Sequence, residues 1–160
     1  MAKKDTKKTE PKKSDTLFEK FGEMGSAKEL NLCADGFREE GDIDSLKAFA
    51  VENGFTEDHA LQWAKKRETN LTEEFCNPIT AAMAKLDLEA KNDTEKKAAD
   101  LLKSEMDDIK LAEGIRKKGK RLKDAFKKVE DFARNHKDGN KAIVSDGKAL
   151  EIMKNYYKGA

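Results

Sequence analysis

A chain of 160 residues has room for one small domain and its tails. Charged side chains make up 41% of it, no apolar run approaches the ~18 residues that a bilayer requires, and no secretory apolar core is present. These features argue against a membrane partner and for a soluble, intracellular protein. The formal net charge of +1 hides a strong separation of sign. Residues 1–13 hold six lysines against two acids, 14–108 hold 12 basic against 23 acidic residues, and 109–160 hold 15 basic against 7 acidic. Such asymmetry bears on partners rather than on fold.

Residues 1–13 carry almost no apolar side chain and are expected to be a disordered basic tail. Residues 14–108 are expected to form an acidic helical region. Ser14 or Asp15 opens a short helix with Leu17, Phe18 and Phe21, ended by Gly22. Ser26 followed by Glu29 is a capping box ahead of the stripe Leu30, Cys33, Ala34 and Phe37, which Gly41 stops. Asp42 caps a helix burying Ile43, Leu46, Phe49 and Ala50, with Gly54 beyond its end. Thr56 caps another carrying Ala60, Leu61, Trp63 and Ala64. Asn77-Pro78 opens a helix with Ile79, Ala82, Met83 and Leu86. A long periodic run begins at Thr94 and passes through Ala98, Leu101, Leu102, Met106 and Ile109, with a kink or break expected at Gly114 and Gly119.

Residues 109–160 read as a basic module: a helix, a turn and a second helix. Leu122, Ala125, Phe126, Val129, Phe132 and Ala133 share one helical face. The other faces carry Arg116, Lys117, Lys118, Lys120, Arg121, Lys123, Lys127 and Lys128. Asp138-Gly139-Asn140 reads as a turn, Ala142 to Val144 as an apolar plug, and Ser145 as the cap of a last helix with Ala149, Ile152, Met153 and Tyr156 inward. No segment alternates with period two for long enough to be a strand. The expected fold is all-α, a small multi-helix bundle with a helix-turn-helix-like carboxyl-terminal module.

Catalytic chemistry finds little support, and the chain reads as a non-enzyme. There is no phosphate loop and no GxSxG, and neither His59 nor His136 has a nucleophile beside it in the sequence. Glu39/Glu40, Glu73/Glu74 and Asp107/Asp108 are sequence neighbours, which point about 100° apart on a helix and do not converge on a substrate. Cys33 and Cys76 match neither a metal nor a disulfide spacing, so no metal and no cofactor are expected.

Leu46 to Trp63 has the skeleton of a helix-turn-helix, with Ala50, Gly54, Ala60 and Trp63 in the positions that join two helices. Glu57 and Asp58 would open its recognition helix and repel phosphates, so simple hairpin packing is the better reading. The basic run is the stronger signal. Arg116, Lys117, Lys120, Arg121, Lys123, Lys127 and Lys128 are the candidate contacts for a nucleic acid or partner. If about five met phosphates, log K would fall with log salt at a slope near −4.5. No Arg, Asn and Gln set marks base reading, so binding to duplex DNA is expected through phosphates without sequence preference.

The basic helix, the Gly-containing turn, Ala142-Ile143-Val144, Ser145-Asp146 and the closing Tyr156-Tyr157 together resemble the carboxyl-terminal module of PcfK-like proteins of Gram-positive conjugative elements and phages. Gly41 to Phe55 is similar to segments upstream of such modules. The pattern departs from its relatives at Asn155, where they often carry His. Some members are anti-CRISPR proteins, so the resemblance implies an inhibitor that binds a type II CRISPR effector nuclease, with or without its guide RNA. The alternatives are a nonspecific DNA-binding accessory protein of a mobile element and a structural helical oligomer.

Overall fold

The computed structural model describes residues 17–136 and 144–159. The tail 1–13, the cap at Ser14 or Asp15, the turn Asp138–Asn140 and the residues Ala142 and Ile143 lie outside them. Among the described residues every regular element is an α-helix: α1 (Ala27–Glu40), α2 (Ile43–Glu52), α3 (Glu57–Thr69), α4 (Pro78–Glu89), α5 (Asp93–Lys103), α6 (Ile109–Arg116), α7 (Leu122–Asn135) and α8 (Asp146–Lys158). The chain is an all-α multi-helix bundle.

Local chemistry sets most of the boundaries. Ser26 Oγ accepts the N–H of Glu29, and the Glu29 carboxylate accepts from Gly25 rather than Ser26, a capping box displaced by one residue. Asp42, Thr56 and Asn77 cap α2, α3 and α4, and Pro78 fills the first helical position. Asn92 caps α5, two residues ahead of the start expected at Thr94. The long periodic run breaks earlier than expected, at residues 104–108, where α5 ends and α6 begins. Gly119, at φ +82°, lies in the 117–121 loop and separates α6 from α7. Gly114 breaks nothing; it sits inside α6, where a Cβ would come within 2.3 Å of the Tyr157 carbonyl oxygen of α8.

The apolar interior falls into two clusters that meet at α4. Leu30, Ala34, Leu46, Phe49, Ala50, Ala60, Trp63 and Ala81 form the first, around α1–α3. Ala82, Leu86, Leu102, Leu111, Ile115, Leu122, Met153 and Tyr157 belong to the second, built from α4 to α8. Successive residues Ala81 and Ala82 thus face opposite cores, and the packing seam runs through α4, away from the charge boundary near residue 108. At this seam Gly54, with φ +91°, lets the α2–α3 turn abut α4, since a Cβ there would stand 2.3 Å from the Ala84 oxygen. Before α1, residues 17–25 strap across the seam. Phe21 packs edge-on against Phe37 and Phe49, and Glu52 accepts from the N–H groups of Lys20 and Phe21 at 2.9 and 2.8 Å.

Candidate functional site

The basic run divides into an inward and an outward set, and Arg116 is the clearest departure from the sequence reading. It is 1% exposed. From the end of α6 its Nε donates to Met24 O at 3.2 Å, Nη1 to Ala81 O at 3.1 Å and to Asn53 O at 3.5 Å, and Nη2 to Asn53 Oδ1 at 2.5 Å. It joins the strap, α2, α4 and α6 across the seam and cannot touch a partner. Its helical position gives the reason: Arg116 follows Ala112 by four residues and so extends the buried stripe Leu111, Ala112 and Ile115. Burial pulls its pKa from 12.5 to about 10, leaving it charged at neutral pH.

Arg121 also turns inward. Its Nη1 lies 2.8 Å from Glu23 Oε2 and its Nη2 3.0 Å from Glu23 Oε1, a two-pronged pair of the kind guanidinium geometry favours. Lys85 Nζ reaches the same carboxylate at 3.0 Å and also donates to Lys117 O at 3.1 Å. Phe18, itself at φ +62°, has both guanidiniums over its ring, with Arg116 Cζ at 5.6 Å and Arg121 Cζ at 5.7 Å from the centroid. Burial opposes ionisation of Glu23. Hydrogen bonds from Arg121 and Lys85, the Lys85 charge and the Gly119 N–H outweigh it and hold the carboxyl down at about 2. On the next turn of α4, buried Glu89 accepts from the Leu122 N–H and so supplies the cap that Arg121 does not give α7. Burial raises the Glu89 pKa and lowers that of Lys85.

Lys120 is held on α8: its Nζ donates to Tyr156 O at 3.0 Å and lies 4.3 Å from the Tyr156 ring centroid. Tyr156 is half-buried, its hydroxyl accepting from Arg121 N, whereas Tyr157 is the core residue of the pair at 2% exposed. This reverses the expectation that Tyr156 carries the stripe.

Lys117, Lys123, Lys127 and Lys128 are exposed, as is Lys118 in the same loop. None of these five has a carboxylate partner among the described residues. The lysines of α8 differ: Lys154 pairs with Glu105 at 2.9 Å, Lys158 with Asp108 at 2.9 Å and Lys148 with Glu151 at 3.2 Å. The acidic and basic regions therefore neutralise one another where α8 meets residues 105–108, while Lys117, Lys118, Lys123, Lys127 and Lys128 keep their charge available to solvent.

Sequence reasoning missed Lys85, Glu23 and Asn53. Lys85 was legible in part, since it lies four residues after Ala81 and beside Leu86 on the inward stripe of α4. The acidic neighbours do not assemble into a site: Glu39, Glu40, Glu74 and Asp107 are exposed, and Asp108 caps α6. His59 Nε2 is bonded to Phe75 O at 2.6 Å and stacks on Phe55. Among the described residues no group of three or more His, Cys, Asp and Glu is placed to hold a metal ion. α2 packs on α3 as the sequence hairpin required, with Glu57 and Asp58 exposed at the start of α3. No helix among the described residues is long and apolar enough to cross a membrane. No protein-family model, curated protein or solved structure matches the chain.

Proposed function

We propose that this protein is a non-enzymatic binding protein that engages nucleic-acid phosphates through Lys117, Lys118, Lys123, Lys127 and Lys128. One observation carries the reading: five lysines within residues 117–128 are exposed and without a carboxylate partner among the described residues, beside a helix whose own lysines are paired. Ammonium groups on flexible stems suit phosphate attraction without base reading. They stand in the loop before α7 and on its first two turns, where the helix dipole adds positive potential. Arg116, Lys120 and Arg121 leave the contact set proposed from sequence, because each is held by acceptors within the fold, and Lys118 joins it.

The resemblance of residues 116–157 to PcfK-like proteins extends the proposal to a target, a type II CRISPR effector nuclease blocked in its handling of nucleic acid. Fluorescence anisotropy with a labelled duplex tests the first part. Affinity should fall with log salt at a slope of about −4.5 for five contacts. K117E/K118E/K123E/K127E/K128E should abolish binding while circular dichroism stays helical. Retained affinity in that variant overturns the reading. Adding a purified effector nuclease tests the target: a complex that survives high salt supports the inhibitor, and binding to bare duplex alone supports a DNA-binding accessory protein.

A further inference from the structure

The carboxylate of Glu23 rests in a cradle of donors from separate parts of the chain. Lys85 Nζ on α4, both Nη atoms of Arg121 and the N–H of Gly119, 3.1 Å from Oε1, converge on its two oxygens. Lys85 has no exposed surface, so the floor of this cradle is buried. A planar fork, an ammonium and a backbone N–H aimed at one point are the donors that phosphoryl oxygens take. Behind them, Arg116 contributes a buried positive charge whose hydrogen bonds go only to carbonyl and amide oxygens. Exposed Lys117 and Lys118 belong to the same loop as Gly119, and Lys118 Cγ lies 3.1 Å from where a Cβ on Gly25, two residues after Glu23, would stand.

Glu23 is the removable wall. Its side chain is 13% exposed, and the strap that carries it is anchored elsewhere, by Phe21 in the aromatic cluster and by Glu52 on the Lys20 and Phe21 amides. These anchors do not involve the Glu23 side chain, so its rotation toward solvent would leave them in place.

We propose that this cradle is a phosphate-binding site in which Glu23 is the resident competitor, displaced when a phosphoryl group enters. The inference rests on the proposed function only for the source of that group, since the lysine run ends at the cradle and would lead a nucleic-acid backbone to it. A phosphate on the cradle adds directional bonds to an otherwise diffuse electrostatic contact.

Thermal melts in inorganic phosphate, against chloride at equal ionic strength, test it on the full chain. E23Q keeps the shape of the wall and removes its charge, so it should bind phosphate about tenfold or more tightly than wild type, seen as a saturable rise in Tm. Adding K85M should erase that rise, and K123E/K127E should leave it in place. Equal phosphate responses in wild type, E23Q and E23Q/K85M overturn the proposal. Should E23Q not fold, the wild-type amide spectrum decides: phosphate must shift the Gly119 N–H, and an unmoved Gly119 signal overturns the proposal equally. A 5′-phosphorylated and an unphosphorylated oligonucleotide then separate a terminal from an internal phosphate, by whether the Gly119 shift needs the end group. Loss of duplex binding in K123E/K127E, with the phosphate response kept, reports on the proposed function alone, because neither lysine is among the donors to Glu23.

Discussion

The Arg116 guanidinium and the Asn53 side-chain oxygen, 63 positions apart in the chain, meet at 2.5 Å inside the seam between the two apolar clusters. Asn53 is itself fully buried and donates from Nδ2 to Phe49 O at 2.9 Å, which orients its amide oxygen toward the arginine. The pair ties the last residue of α6 to the end of α2. Arg116→Met removes the charge but leaves Ala81 O, Met24 O and Asn53 Oδ1 without that donor. A loss of about 2–4 kcal/mol is expected from hydrogen bonds to a charged group. Urea denaturation measures it, and Arg116→Lys should recover little because an ammonium cannot span the same acceptors.

Gly114 sets two effects against each other. Within a helix, Gly→Ala gains about 1 kcal/mol of propensity. At this position the new methyl would stand 2.3 Å from Tyr157 O, against backbone that cannot rotate away. Overpacking costs about 1–3 kcal/mol or more, so the clash wins. Gly114→Ala should lower Tm, whereas Ala112→Gly in the same helix lowers it through propensity and lost burial without parting α6 from α8. Near-ultraviolet circular dichroism of the Tyr156–Tyr157 pair distinguishes the two.

The Tyr157 hydroxyl is buried with no hydrogen-bond partner among the described residues. An unsatisfied buried hydroxyl costs about 1–3 kcal/mol. Tyr157→Phe keeps the ring in the core and should raise stability by about 1 kcal/mol, read from the chemical denaturation midpoint. Tyr156→Phe should do the opposite, because it removes the acceptor of the Arg121 N–H.

Glu23 makes stability depend on acidity in a defined direction. Its carboxyl sits at about 2 in the fold against an ordinary 4.5. Its contribution is therefore complete above pH 4.5 and lost as pH falls from there toward 2. Glu23→Gln should be less stable than wild type at pH 7, and the two should converge between those limits. Parallel denaturation curves from pH 7 down to pH 2 check this. Lack of convergence would place the anchoring charge elsewhere.

The two thiols should differ in reactivity. Cys76 is 5% exposed, and burial pushes its thiol up to about 12; Cys33 is half-buried, and burial raises it as well. Since the thiolate is the reactive form, a disulfide reagent should label Cys33 first and reach Cys76 only on unfolding. Stoichiometry with and without urea reads this directly.

What the sequence by itself determined is what neighbours in the chain decide. The starts of α1 to α4, the end of α1 at Gly41, the inward stripe of α7 and the all-α class follow from caps and periodicity within a turn or two. The same reasoning treated every lysine and arginine of the basic run as outward, because charge alone favours water. Only the tertiary structure decided otherwise. Arg116 and Arg121 find acceptors 63 and 98 positions away, and Lys85 finds Glu23 at a separation of 62. Burying a cation is tolerable only where such partners converge, and no local pattern reports a partner brought by the fold. Residues 117–128 thus divide, by which side chains the fold supplies with acceptors, into those that hold the seam and those left facing solvent.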